Sequence, residues 1–417
     1  MRNKMVIYLM LQYILFTGIM KSEENITPQL KMAKFSNQEI VHRCWSVSSE
    51  NQLYPFLQAA LNRIEFLTPT GAVISWFNYL PYSQIVFSEH QQVIAFLEQP
   101  ENKARDGLSA YKKNLSYRVT SKTGEKFYSI AMEINYDDPI PAILLAENGT
   151  SVLLDGRDGS AAVFSPAGEM QVKIDIFEDD EFAFEKPVTA ALTAAGDVLV
   201  ILAQKRPMTF DETKGEYISG EPWLIFYALD DRAEKWRQPL AQAAASTIAV
   251  SVTGKYIAVS SFTPAKEKTP NLLTTIFSKE GDQVLELAHS FRQAKFAEDK
   301  NSAFFVNRDE LIIVNLAEKK YAAKNLTLDK KNRLISDLKI DLTNNFPVVL
   351  MTKSIFQNER FECVETLLLC FDHNFQKKWE IACPEEKYLQ PSWELTSKEI
   401  GIGFLTNYKI FKVSRDR

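Results

Sequence analysis

TIAVSVTGKYIAVS, residues 247–260, reads as two short apolar strands joined by a tight polar turn. Ser251 stands where the first strand enters the turn, and Gly254 sits in the bend. Apolar runs bounded by Gly and small polar residues are the mark of a β-hairpin. The fold turns on whether this hairpin recurs, because repetition at a fixed spacing is the signature of a stacked or radial array.

It recurs eight times. The copies begin at Cys44 (CWSVSSENQLYPFL), Gln84 (QIVFSEHQQVIAFL), Ala142 (AILLAENGTSVLLD), Thr189 (TAALTAAGDVLVIL), Thr247, Gln293 (QAKFAEDKNSAFFV), Asp337 (DLKIDLTNNFPVVL) and Ser392 (SWELTSKEIGIGFL). Their fifth positions are Ser48, Ser88, Ala146, Thr193, Ser251, Ala297, Asp341 and Thr396. All are small or turn-capping, as a crowded strand end entering a tight turn requires.

A second pattern follows each of the first seven: an alternating strand, a turn often containing Gly, and another strand. IEFLTPTGAVISW (64–76), YRVTSKTGEKFYSI (117–130) and LIFYALDDRAEKW (224–236) show it, with Trp76, Trp236 and Trp379 at matching places beyond the turn. Together the patterns make a four-stranded unit recurring about every 50 residues, the size of a propeller blade. No stretch shows sustained helical periodicity with caps.

The expected fold is therefore all-β: a β-propeller of four-stranded blades over 41–417. It has eight blades, or seven if Pro55 in the first copy prevents that copy from pairing. The eighth unit has strands around Trp393–Thr396, Ile400–Leu405 and Tyr408–Val413 but no fourth. Leu30–Ser36, within a leader spanning 22–40, is an expected ring-closing strand, with a frayed leader as the alternative.

The SVTGKYIAVS hairpin and Gly-turn-Trp strands such as TPTGAVISW resemble the bacterial β-propellers built from WD-like, YVTN-type or pyrroloquinoline-quinone-type repeats. The likeness covers nearly the whole chain after residue 21. The Gly-His and Trp-Asp dipeptides of WD repeats are missing, as is the sialidase box S-x-D-x-G-x-T-W. A quinoprotein dehydrogenase would imply an adjacent cysteine pair, and the chain has no Cys-Cys. The resemblance thus speaks for the fold and assigns no function.

Composition narrows the classes. With 46% hydrophobic and 24% charged residues the chain is globular, not disordered. A net charge of −5, with no basic run to track phosphates, argues against nucleic-acid binding. MRNK followed by the apolar run Met5–Met20 marks residues 1–21 as a signal peptide or an uncleaved anchor. The protein is expected to be exported: periplasmic, extracellular or, if that segment stays on, membrane-anchored. It is expected to be monomeric. Of the four cysteines, Cys363 and Cys383 lie almost symmetrically about Asp372–Phe375. They read as a possible cross-strand disulfide or as two buried thiols. Their spacing does not suit zinc, and no cofactor or metal is implied.

Catalytic motifs are missing from the sequence. His42, His90, His289 and His373 are scattered, and no H-E-x-x-H helix, G-x-S-x-G elbow or phosphate loop occurs. In an antiparallel blade the first and third turns emerge on one face, and the remaining links emerge on the other. The first and third turns are short here, whereas the links between second and third strands are long in four units, near 98–114, 203–222, 260–271 and 352–362. Loops that vary on a rigid scaffold carry function, or they drift on a solvated face.

On that face the candidate binding residues are Asp155, Arg157 and Asp158 of LLDGRDGS, and the aromatics Phe210, Tyr217, Phe262 and Phe356. The two carboxylates and the Arg suit a cation or an anionic group, or else pair with each other in an Asp-Gly turn. FDETKGE (Asp211, Glu212, Glu216) does not match a calcium loop and reads as solvated. The sequence therefore points to a binding protein for a protein, glycan or small molecule. A propeller enzyme, either a hydrolase or a quinoprotein-like oxidoreductase, and an envelope structural component stand as alternatives.

Overall fold

The computed structural model describes residues 41–49, 52–59, 63–67, 73–80, 83–89, 92–99, 112–135, 138–155, 159–177, 188–264, 270–327, 333–341, 343–357, 360–383, 392–395, 399–403 and 408–412. Among them, seven antiparallel sheets have four strands each, one has three, and a two-stranded hairpin stands apart. The sheets follow one another along the chain, and each is built in chain order. They are numbered 1 to 8 below. Arg157, Asp158, the expected closing strand Leu30–Ser36 and the segment 1–21 lie outside the described residues.

The arrangement is radial. The first strands of the sheets gather at a hub: Gln84–Phe87 touches Ala142–Leu145, which touches Val188–Leu192. From there Ala244–Val250, Gln293–Ala297 and Leu334–Asp341 continue the series. Val41–Ser49 of the first sheet lies against Ser392–Leu395 of the last, so the two ends of the series meet. The chain folds as a β-propeller. Its first hairpin copy does pair, with Pro55 opposite Ser46.

In the sheets whose side chains are described, burial falls from the middle outward, and the sequence shows why. The second strand of sheet 4, VLVILAQ (Val198–Gln204), is buried throughout. Leu199, Ile201 and Ala203 pack toward sheet 3, while Val198, Val200 and Leu202 pack toward sheet 5. A strand covered on both faces must be apolar at every position, which explains its unbroken run. The outer strand Lys320–Asn325 of sheet 6, by contrast, is exposed almost throughout. Charged side chains on such an edge discourage pairing with another chain.

Two expectations change. The fourth long link, near 352–362, is a strand extension: Phe346–Gln357 and Arg360–Phe371 run through it as one long hairpin, with a bulge at Lys353/Ser354. The alternating TKSIF and RFEC stretches pair instead of looping, because their pattern continues the ladder. Cys363 and Cys383 also fail to face each other: Cys383 pairs with Thr366, and Cys363 with Ser354. The turn is centred on Asn374, one residue later than the midpoint of the two cysteines, and a bulge at Cys370/Phe371 shifts the register further in the same direction. Both side chains are buried thiols in the cluster between sheets 7 and 8.

Candidate functional site

The two faces of the ring are built differently. On the short-turn face three of the predicted fifth-position residues act as caps. Ser88 Oγ accepts the Val93 N–H at 3.0 Å, Thr193 Oγ1 that of Val198 at 3.1 Å, and Ser251 Oγ that of Tyr256 at 2.9 Å. Each cap satisfies the first donor of the following strand.

Neighbouring turns are also tied together on this face. Ser88 Oγ donates to Glu147 of the next sheet at 2.8 Å, and Asn148 Nδ2 donates to the Ala195 carbonyl at 2.7 Å. Glu298 accepts from Thr253 N at 3.0 Å and from Thr253 Oγ1 at 2.7 Å. Burial pushes the Glu298 carboxyl up, but hydrogen bonds from Ser251 and Thr253 and the charge of Lys255 outweigh it and hold it below the usual carboxylate value.

Turn glycines complete the stapling. Gly168, at φ +82°, would place a Cβ 2.6 Å from Tyr128 of the preceding sheet, and Gly281, at φ +91°, packs on Trp236. Trp236 in turn stacks on Phe226 with centroids 5.5 Å apart and donates to the Lys279 carbonyl at 2.8 Å. It is a packing residue between sheets 4 and 5. At the hub, Lys295 of sheet 6 forms an ion pair with Glu89 in the first turn of sheet 2. That contact bridges the mouth of the central channel on this face.

The other face carries arms. From sheet 4 rises the hairpin Thr209–Asp211/Glu216–Ile218, in which Phe210 lies opposite Tyr217. Their rings meet edge to face, with centroids 5.0 Å apart. Asp211 Oδ1 accepts the N–H groups of Thr213 and Lys214 and so fixes the bend. The arm's base is clasped: Gly220 N donates to the Ala243 carbonyl at 2.9 Å, and Arg206 holds the Ser219 carbonyl and Glu221. Met208, Tyr217 and Phe262 pack with Ala243 and Ala244, which seats the arm on the end of sheet 5.

A second arm is the extension of sheet 7, where Phe356 lies opposite Phe361 and is 64% exposed. The structure thus brings Phe210, Tyr217 and Phe262 together and puts Phe356 on a separate arm of the same face. Asp155 ends the second strand of sheet 3 on this face, opposite Ser160.

Several polar groups here were not foreseen. Glu98 and Arg118 pair at 2.7 Å, with the guanidinium over Phe96 at 4.5 Å, while Glu98 also accepts the Leu80 N–H. His289 Nδ1 lies 3.0 Å from Glu310, which also accepts from Asn307. Apart from the local Asn307–Glu310 contact, these partners are about 20 residues apart in sequence, so no sequence pattern signals them.

No protein-family model matches the chain, and no curated protein matches it in sequence. Solved structures do. The C-terminal WD40 domain of Sif2 matches with TM-score 0.52 at 12% identity, covering 92% of this chain and 99% of that one. Chaetomium thermophilum Sqt1, solved bound to the N-terminus of ribosomal protein L10, matches with TM-score 0.50 at 10% identity, covering 92% and 96%. The fold is that of a WD40-type propeller. At such identities the likeness extends to the fold alone.

Proposed function

We propose that this propeller is an exported protein-interaction scaffold that holds a segment of a partner protein on the face bearing the two arms. One observation carries the reading: both arms rise from the same face and end in solvent-exposed phenyl rings, while the opposite face is capped and stapled. Exposed aromatics on a rigid scaffold supply large contact area at low entropic cost, and they dominate interface energetics. The Sqt1 structure, with a protein N-terminus bound, supports reading a propeller of this fold as a holder of protein segments. Export rests on the apolar run Met5–Met20.

Selection of a displayed random peptide library on the wild type and on a Phe210→Ala/Phe356→Ala variant tests the site. Enriched peptides should lose binding to the double variant while its melting temperature is unchanged. Peptides that bind both proteins equally would remove the arms from the site. Fractionation of the expressing cell, with sequencing of the mature N-terminus, tests export.

A further inference from the structure

Sheet 8 has three strands among the described residues, where the other seven sheets of the ring have four. Its third strand, Tyr408–Lys412, pairs with Glu399–Gly403 on one side. The N–H and C=O groups along the other edge of such a strand are a template for a further strand. Next in the ring stands sheet 1, whose first strand touches the first two strands of sheet 8.

Sheet 1 is unusual on the side turned toward that edge. In sheets 1 to 5 and in sheet 7, a bulge between the third and fourth strands marks equivalent places. Trp236 pairs with Phe226 next to the bulge of sheet 4, and the same place in sheet 1 is held by Ser75, opposite Phe66. Trp76 is one step farther along, so it turns to the opposite face, toward sheet 8. Its counterparts in the other five sheets are Ser129, Lys173, Arg237, Glu286 and Glu380. All five are polar. Trp76 is the exception, 56% exposed, with the Arg63 guanidinium 5.8 Å from its ring centroid.

Arg237 shows what this position meets. Its Nη1 donates to the Ile176 carbonyl at 3.0 Å, just past the end of the fourth strand of sheet 3, Met170–Asp175. The position reaches the end of the preceding sheet's fourth strand. An indole there calls for an apolar strand end on sheet 8.

The chain's course names the occupant. Each fourth strand runs toward the arm face and leads there into the first strand of the next sheet. The link takes four residues from Pro239 to Ala244 and twelve from Asp175 to Val188. LKMAKFS, residues 30–36, lies outside the described residues and ends four residues before the link reaches Val41, where sheet 1 begins. A strand formed there would run in the required direction and would carry Leu30, Met32 and Phe35 as apolar side chains.

We propose that residues 30–36 complete sheet 8 as its fourth strand, laid along Tyr408–Lys412, and that the end of this strand covers Trp76. This closure is independent of the interaction reading above.

In the full chain, p-benzoylphenylalanine in place of Trp76 should cross-link on illumination to residues 30–36 of the same molecule, read by mass spectrometry of the digest. Deleting 30–36 should lower the melting temperature by several degrees, whereas deleting 23–29, a segment of the same length, should leave it unchanged. A synthetic peptide of residues 28–38 should restore the loss. Cross-links that join two chains would overturn the proposal, because a second copy would then finish the sheet. Cross-links that avoid 30–36, or two deletions of equal effect, would overturn it too. If the 30–36 deletion does not fold, the cross-link decides alone. Peptide selection on the arms reads a different face of the question, so either inference can fall while the other stands.

Discussion

The short-turn face and the arm face are made by the same strands, yet they spend their polar groups in opposite ways. On the short-turn face many of the described turn side chains are committed: Ser and Thr caps hold the next strand, carboxylates reach the neighbouring sheet, and glycines admit an aromatic ring. On the arm face the ties beyond the base of the sheet 4 arm are local to the arm itself, such as Asp211 with its own bend and Phe210 with Tyr217. The clasp of Gly220, Arg206 and Glu221 is tight, while the Phe210 and Phe356 rings beyond the arm bases stand largely exposed to solvent. A rigid face and a face with unused groups are what a scaffold needs in order to present a site without deforming.

The largest expected difference lies in backbone tolerance. Gly168→Val forces a branched residue to φ +82° and drives its Cβ into Tyr128. The left-handed backbone costs about 1–2 kcal/mol and the overpacking a similar amount, so the loss should be about 3 kcal/mol in denaturant unfolding. A loss under about 0.5 kcal/mol, the range of ordinary surface changes, would mean that the turn is not pressed on its neighbour.

Next comes the Thr253–Glu298 tie. Glu298→Ala removes two hydrogen bonds between sheets and should cost about 1 kcal/mol at neutral pH. The acid side carries the sharper signature. A carboxyl held below its ordinary value contributes stability above the unfolded pKa and loses it as pH falls through its own lower value. Glu298→Gln should therefore make the acid limb of the stability curve shallower. An unchanged limb would show that the tie does not form in solution.

How much of this was legible depends on sequence distance. The caps at Ser88, Thr193 and Ser251 could be read because each serves a donor only five residues on. The unbroken apolar run of Val198–Ala203 could be read because burial on both faces leaves a local pattern. Long pairings left no trace: Glu147 is 59 residues from Ser88, and Lys295 is 206 from Glu89. Single-residue bulges hid the rest. One at Cys370/Phe371, together with a turn centred on Asn374, sets Cys383 against Thr366, and another sits inside the sheet 7 extension, whose sequence reads as a long link. Among the site candidates, Phe210, Tyr217 and Phe262 are legible as aromatics in two long links, but the meeting of Tyr217 and Phe262 over Ala243 and Ala244 depends on how the arm leans.

The hub ion pair gives a smaller energetic effect and a direct geometric test. Lys295 and Glu89 are both partly exposed, so Lys295→Met should change stability by no more than about 1 kcal/mol. Their contact, however, requires sheets 2 and 6 to approach across the channel. A carbodiimide couples touching amines and carboxylates without a spacer, so it should join these two side chains. Mass spectrometry of the digest should show the 89–295 cross-link in wild type and lose it in Glu89→Gln. Its absence from wild type would mean that the channel is open at the short-turn mouth.

The smallest expected effect is on the arm face, and its smallness is informative. Phe356 is 64% exposed at the far part of the sheet 7 arm, so Phe356→Ala should shift stability by under about 0.5 kcal/mol. The same truncation at Phe305, fully buried between sheets 5 and 6, should cost about 3–5 kcal/mol. A ring whose removal leaves the fold untouched but abolishes capture of a selected peptide is held by the protein for contact and not for packing. If Phe356→Ala instead destabilised the chain as Phe305→Ala does, that phenyl would belong to the scaffold. The contrast between a stapled face and one with exposed rings would then reduce to the sheet 4 arm alone.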